Sequence, residues 1–249
     1  MTQDIKDITA IILAGGLGTR LRSAVSDVPK PMAPINNRPF LEYQLDHLQQ
    51  AGVKKVILAI GYMADSIQHH FGNQWKDIQI NYSQEETPLG TGGAIIKAIK
   101  MMADDDLVFV MNGDTYFPIS LTNMLKHHQS KKASISIAMF ESEDIDRYSP
   151  FNITKDMRIT SKDQGTMNLK SGGIYIFSQD IVHCLRNMII QKTSFETELT
   201  PRFLAENRSM IAYTEPCYFI DIGIPDDYIR ATEYIGVSHK NYSNSVDQE

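Results

Sequence analysis

An α/β fold built on a mostly parallel sheet flanked by helices is what this sequence predicts, and three observations carry that expectation. Short apolar runs alternate with amphipathic segments through the first half of the chain. The spacing of runs and segments suits strands joined by right-handed helical crossovers. Two polar, glycine-containing turns, Gly15–Arg20 and Asn112–Asp114, follow directly on apolar runs. That is where ligands sit in such sheets, at the carboxyl ends of the strands.

Taken in order, Ile8–Ala14 reads as a buried strand that breaks into Gly15, Gly16 and Gly18. Further strands are expected over Val56–Ile60, Ile78–Tyr82, Leu107–Met111 and Ser134–Met139. Helices are expected between them over Leu41–Gln50, Ala64–Phe71, Gly93–Met101 and Leu121–Gln129. From about Tyr148 the pattern loosens. Ser171–Phe177 and Tyr218–Ile222 read as strands, with helices near Gln179–Asn187, Thr197–Glu206 and Asp226–Ile235. Residues 236–249 are polar and expected to form a frayed tail. No hexapeptide repeat is visible, so no C-terminal β-helix is expected. The organisation expected is one domain over 1–235, with a first part about 8–147 and an extension about 148–235.

Composition narrows the function classes. With 249 residues, 42% of them hydrophobic, the chain can bury a core of single-domain size. A formal charge of −6 disfavours a nucleic-acid partner, whose binders are usually basic. Two cysteines, Cys184 and Cys217, make no disulfide framework and suit a reducing compartment. No secretory pattern opens the sequence and no apolar run reaches the length of a membrane span. A cytoplasmic protein with no membrane or nucleic-acid partner is expected; a homo-oligomer is left open.

The stretch Leu13-Ala14-Gly15-Gly16-Leu17-Gly18-Thr19-Arg20, with Lys30 between Pro29 and Pro31, is the most informative. Glycines let backbone N–H groups approach a polyphosphate closely, and Arg20 and Lys30 add positive charge around the same anion. Neither G-x-x-x-x-G-K-[ST] nor G-x-G-x-x-G is present. Gly-Gly-x-Gly alone would serve equally as a strand-to-helix turn; the flanking Thr19-Arg20 and Pro29-Lys30-Pro31 favour phosphate handling.

This block, with Pro29-Lys-Pro-Met32 and Leu41-Glu-Tyr43, resembles the signature of sugar-1-phosphate nucleotidylyltransferases, and the resemblance runs from about Ile8 to about Ile235. It implies a Rossmann-like sheet of the nucleotide-diphospho-sugar transferase type. It also implies joining of a nucleoside triphosphate to a sugar 1-phosphate, with pyrophosphate released. Asp114, closing Val110-Met-Asn-Gly-Asp, and Asp221, closing Tyr218-Phe-Ile-Asp, match the family's metal positions and imply Mg²⁺. Each aspartate alone would pass for a turn or N-cap residue, the reading preferred for Asp226 and Asp227.

By the same resemblance, Arg20 holds the leaving pyrophosphate and Lys30 the α-phosphate region, while Leu13 to Gly16, Gly18, Thr19, Asn112 and Gly113 belong to the nucleotide site. The segment Gln84 to Ala94 corresponds to the base-reading loop, with Glu85, Pro88, Gly90 and Thr91 as candidates. Pro88-Leu-Gly-Thr-Gly-Gly93 resembles guanylyl-transferring members, so GTP is the expected nucleotide. Glu196 and Asn112 look like sugar-side residues, and Gly172-Gly173 would let a sugar approach a strand backbone.

One region departs from the pattern. The Phe-x-Glu-Lys segment that usually carries a second, sugar-phosphate-binding lysine is missing, and Ser171 replaces an asparagine. Lys162 is the nearest candidate and Lys170 the next. His69-His70 and His127-His128 lack a metal-ligand context, Trp75 and Tyr82 read as core or rim aromatics, and Asp104–Asp106 as a charged turn. The length, Gly90–Gly93 and Asp221–Tyr228 resemble members acting on D-glycero-α-D-manno-heptose 1-phosphate for surface polysaccharide. Mannose 1-phosphate guanylyl transfer, a hexose uridylyl or cytidylyl transfer, and an inactive NDP-sugar-binding regulatory subunit are the alternatives.

Overall fold

The computed structural model describes residues 3–16, 18, 21, 25, 27–102, 107–142, 151–160 and 169–246, with side chains as far as Ile235. The first half contains β1 (Thr9–Leu13), the short β2 (Pro34–Ile35) and β3 (Arg38–Pro39), α1 (Phe40–Ala51), β4 (Lys55–Ile60) and α2 (Ala64–Phe71). It continues through β5 (Gln74–Trp75), β6 (Ile78–Gln84), α3 (Gly90–Ile99), β7 (Val108–Asn112) and β8 (Thr115–Tyr116). The second half holds α4 (Leu121–Lys131), β9 (Ile135–Glu141), β10 (Asn152–Ile153), β11 (Ile159–Thr160), β12 (Leu169–Phe177) and α5 (Gln179–Arg186). A π-helical turn (Phe195–Leu199) runs into α6 (Thr200–Ala205), followed by β13 (Met210–Thr214), β14 (Ile220–Asp221) and α7 (Pro225–Val246).

Eight strands form the main sheet in the order β13-β9-β12-β7-β1-β4-β6-β5. β1 pairs parallel with both β4 and β7, β4 with β6, and β9 with β13. β12 is antiparallel to β7 and β9, and β5 to β6. Reversing across β12 twice leaves β9 and β13 pointing the same way as β7. The carboxyl ends of β1, β4, β6, β7, β9 and β13 therefore share one edge, which positions the site. The mostly parallel sheet expected from the sequence is present, with β12 as the exception inside it.

Burial on both faces explains the apolar runs. In β1, Ala10 and Ile12 belong to one core cluster and Ile11 to the cluster on the other face. Period-two alternation then vanishes from the sequence, because both sets of side chains need apolar neighbours. A third cluster joins Leu21, Ile35, Phe40, Tyr43, Ile220 and Ile222 to Ala231 and Ile235 of α7. Among the described residues, no helix is long and apolar enough to cross a membrane.

Five expectations need correction. β13 lies where the sequence suggested no strand; its five residues hold an edge position beside β9. The strand expected over Tyr218–Ile222 reduces to Ile220–Asp221, because its partner β8 is itself only two residues long. α3 begins at Gly90 rather than Gly93, so the glycine-rich turn is its first turn. α7 continues through Val246, so residues 236–246 extend the helix instead of forming a frayed tail. Asp226 and Asp227 lie inside its first turn rather than capping it, and Asp227 pairs with Arg230 at 2.9 Å. Asp104–Asp106 lies outside the described residues.

Candidate active site

Three side chains distant in sequence meet at the carboxyl edge of the sheet. Lys30 Nζ lies 2.6 Å from Asp114 Oδ2 and 3.6 Å from Asp221 Oδ1. Each is placed by a separate local device. Lys30 opens a 3₁₀ turn between Pro29 and Pro31, whose rings fix φ at both flanks. Asp114 sits in the turn between β7 and β8, and its carbonyl accepts from Ile222 N at 3.0 Å. Asp221 ends β14 opposite Thr115, and its Oδ1 accepts from Gly223 N at 2.7 Å.

The Asp114 turn is held from below by Gln44 of α1, a fully buried residue. Its amide donates to the carbonyls of both Asn112 and Thr115 at 2.6 Å. Sequence reading passed over Gln44. The available signal was a polar residue on the apolar face of an amphipathic helix, where burial demands hydrogen bonds.

The glycine loop after β1 lies alongside. Gly113 N donates to Leu13 O at 2.9 Å, and a Cβ on Gly113 would stand 2.4 Å from that oxygen. Ala14 N donates to Ala59 O. Gly18 has φ +59 and would bring a Cβ to 3.0 Å from Lys30 Cβ. Gly15 packs against Glu85, whose carboxylate would lie 2.8 Å from an added Cβ. Gly16 has nothing within 4 Å of its added Cβ. Thr19, Arg20 and Lys162 lie outside the described residues.

Glu85 Oε2 accepts from Leu89 N at 2.8 Å, tying the end of β6 to the turn at Pro88, and burial pushes its carboxyl above the usual range. The glycines at the start of α3 meet the chain itself. Gly92 N and Gly93 N donate to Thr193 O at 2.9 and 3.2 Å, and a Cβ on Gly90 would stand 2.7 Å from that oxygen. Thr91 Oγ1 donates to Glu196 at 2.8 Å and accepts from Phe195 N. Tyr175 OH donates to the other Glu196 oxygen at 3.3 Å. Burial, then the Glu196 charge, raises the Tyr175 hydroxyl pKa. Glu196 thus bridges the first turn of α3 and β12.

Gly172 and Gly173 sit at a register shift in β12. Their close neighbours are side chains of this protein. A Cβ on Gly172 would meet Phe117 at 2.3 Å, and one on Gly173 would meet Asn112 Nδ2 and Thr115 Oγ1 at 2.8 Å. Asn112 Oδ1 is buried with no hydrogen-bond partner. Lys170, the second candidate for the sugar phosphate, is on β12, 1% exposed, opposite Phe140.

Among the described residues no three His, Cys, Asp or Glu side chains form a metal cluster. The pair Asp114–Asp221 nevertheless fits a magnesium ion. Mg²⁺ commonly takes one or two carboxylates and completes its shell with water and substrate phosphates. The two carboxylates already converge on one cationic group, the Lys30 ammonium. The histidine pairs serve elsewhere: His70 bonds Glu42, and the buried His128 bonds Ser136 Oγ at 2.7 Å.

Known proteins resemble this chain over most of its length. The nucleotidyl transferase family model matches residues 9–237. The D-glycero-alpha-D-manno-heptose 1-phosphate guanylyltransferase of Aneurinibacillus thermoaerophilus is 43% identical over 229 residues, 89% of this chain and 96% of that protein. The protein of the same name from Campylobacter jejuni is 42% identical, over 88% of this chain and 96% of its own. The crystal structure of HddC from Yersinia pseudotuberculosis complexed with GMP-PN superposes with a TM-score of 0.77 at 34% identity. It covers 92% of this chain and 99% of HddC.

Proposed function

The chain belongs to the nucleotidyl transferase family, and from that premise we propose that it transfers a guanylyl group from GTP to D-glycero-α-D-manno-heptose 1-phosphate. The products are GDP-heptose and pyrophosphate. The convergence of Lys30, Asp114 and Asp221 beside the glycine loop carries this reading. The 43% identity to a heptose 1-phosphate guanylyltransferase supports the choice of substrates.

A phosphate oxygen of the sugar phosphate attacks the α-phosphorus of GTP in line. The bond from that phosphorus to the β-phosphate bridging oxygen breaks, and pyrophosphate carries the electron pair away. The attacking group is already ionised, so the protein needs no general base; it supplies position and charge. Asp114 and Asp221 would hold Mg²⁺, which when bound neutralises phosphate charge. Lys30 delivers its ammonium to the α-phosphate, and the backbone around Gly15, Gly16 and Gly18 receives the triphosphate. Arg20 keeps its motif-based role at the leaving group. Lys162 or Lys170 meets the sugar phosphate. The reaction takes place in the cytoplasm, with the nucleotide part about 8–147 and the sugar part about 148–235.

Pyrophosphate release with Mg²⁺ across GTP, ATP, CTP, UTP and dTTP, each paired with the heptose phosphate and with mannose 1-phosphate, tests the reading. Turnover confined to GTP with the heptose phosphate is expected. Turnover with mannose 1-phosphate would replace the sugar, and nucleotide binding without turnover would point to a regulatory subunit. Under the same conditions Lys162→Ala and Lys170→Met separate the two lysines. The one that meets the sugar phosphate raises its KM far more than the KM for GTP.

A further inference from the structure

A 710 Å³ cavity opens at the carboxyl edge of the sheet, between the ends of β9 and β13 and the first turns of α7. Asp221 lies in its wall, so the cavity is continuous with the reaction centre. Its volume falls within the range of about 300–1,000 Å³ found for small-molecule sites. One side is aromatic: Phe140 and Phe219 stack at 3.9 Å with ring planes 14° apart. Such apolar surfaces suit the C–H edges of a sugar.

The opposite side is α7, and the helix presents two stripes. Tyr228, Ala231 and Ile235, at spacings of three and four, pack into the third core cluster. Asp227, Arg230 and Tyr234 have the same spacing and line the cavity instead. Attachment of the helix accounts for the first stripe and leaves the second unexplained. Asp227 is 8% exposed, a costly place for a carboxylate without a partner. Arg230 Nη1 donates to it at 2.9 Å, while the Arg230 side chain remains 58% exposed and its guanidinium lies 6.0 Å from the Tyr234 ring centre. A guanidinium has five N–H donors, and the hydrogen bond to Asp227 uses one of them on a side chain that stays largely exposed.

We propose that Arg230, oriented by Asp227 and flanked by Tyr234, is a specificity subsite for the exocyclic diol of a seven-carbon sugar. This rests on the heptose reading given above. With the anomeric phosphate at Asp221, the far end of the sugar points toward α7. The guanidinium donates to the C6 and C7 hydroxyl oxygens, and a carboxylate beside it accepts from a hydroxyl. A hexose has one carbon fewer and forfeits part of this recognition. A site built to hydrogen-bond a hydroxyl discriminates strongly against an analogue that lacks it.

The test is steady-state kinetics of wild type, Arg230→Ala and Arg230→Lys with GTP, on the heptose phosphate and on mannose 1-phosphate. Arg230→Ala should raise the KM for the heptose phosphate about 10- to 50-fold, in keeping with the loss of one charged hydrogen-bonding group. Its kcat should fall much less, and kcat/KM on mannose 1-phosphate should fall less than about threefold, so that the preference collapses. Arg230→Lys should recover part of the loss. Equal losses on both sugars, or none on the heptose phosphate, would overturn the subsite while leaving the guanylyl-transfer reading intact. A wild type that ignores the heptose phosphate would overturn both, and that failure shows before any variant is made. The Arg230 head is exposed, so its removal should move Tm by no more than about 2 °C; a larger loss would make Arg230→Lys the deciding variant.

Discussion

The two halves of the sheet edge are built on different principles. Around β7, β1, β4 and β6 the strands are parallel and evenly paired, and the candidate residues sit on loops that leave their carboxyl ends. Around β12, β9 and β13 the pairing reverses, slips at Ser171–Tyr175, and hands the site to a two-residue ribbon and a helix face. A regular lattice of strands brings its loops out at one edge. The interrupted part leaves the 710 Å³ cavity. The two carboxylates that meet Lys30 come one from each half, Asp114 from the β7 side and Asp221 from β14.

The largest effect should come from breaking that junction. Asp221→Asn should lower kcat by roughly 10²–10³, the usual cost of losing one transition-state charge contact, while Tm stays near wild type. Near-normal turnover across a Mg²⁺ titration down to low concentration would remove Asp221 from the metal site.

Next in size are the contacts that dock one half on the other. An alanine Cβ at Gly93 would stand 2.4 Å from Gln191 O. Gly93→Ala should therefore destabilise by about 1–3 kcal/mol, the range for overpacking, and thermal unfolding would register it as several degrees of Tm. A neutral outcome would mean that the 191–195 segment yields easily and that α3 is not fixed by it. Gln44→Leu should cost a similar or slightly smaller amount, about 1–3 kcal/mol, because two buried carbonyls lose their side-chain donor. Its kcat should fall more than its KM for GTP changes, since the turn carrying Asp114 loosens. An unchanged kcat would show that β7 and β8 hold that turn without α1.

The sequence revealed the regular half far better than the irregular one, for physical reasons. Ile8–Ala14, Val56–Ile60 and Leu107–Met111 are apolar but for the buried Thr9, because both faces of those strands are covered. The same chemistry is invisible in Ile220–Asp221, which is a strand only because β8 lies beside it. Several glycines mark places where the chain approaches itself closely. Gly90, Gly92 and Gly93 meet Thr193 and Gln191, and Gly172 meets Phe117, all contacts between residues far apart in sequence. The strand expected from Ser171 begins two residues earlier, so Lys170 lies on it, and the pairing shifts register at the glycines that follow. The stripe Asp227, Arg230, Tyr234 was legible as helical spacing, but only the cavity shows what it faces.

Gly16 separates the two uses of glycine. Gly15, Gly18 and Gly113 are confined by Glu85, Lys30 and Leu13, so their missing Cβ atoms are required by the fold itself. An added Cβ at Gly16 meets nothing within 4 Å, and its φ lies outside the left-handed region. Gly16→Ala should therefore leave stability unchanged or raise it by about 0.4–1 kcal/mol through the unfolded chain. If the triphosphate comes down on this backbone, the methyl group stands in its way, and the KM for GTP should rise about 10-fold, the equivalent of 1.4 kcal/mol. The KM for the sugar phosphate should hold. A rise in both constants would mean that the two substrates share the loop. No rise in either would place the phosphates away from Gly16, on the Lys30 side of Gly18.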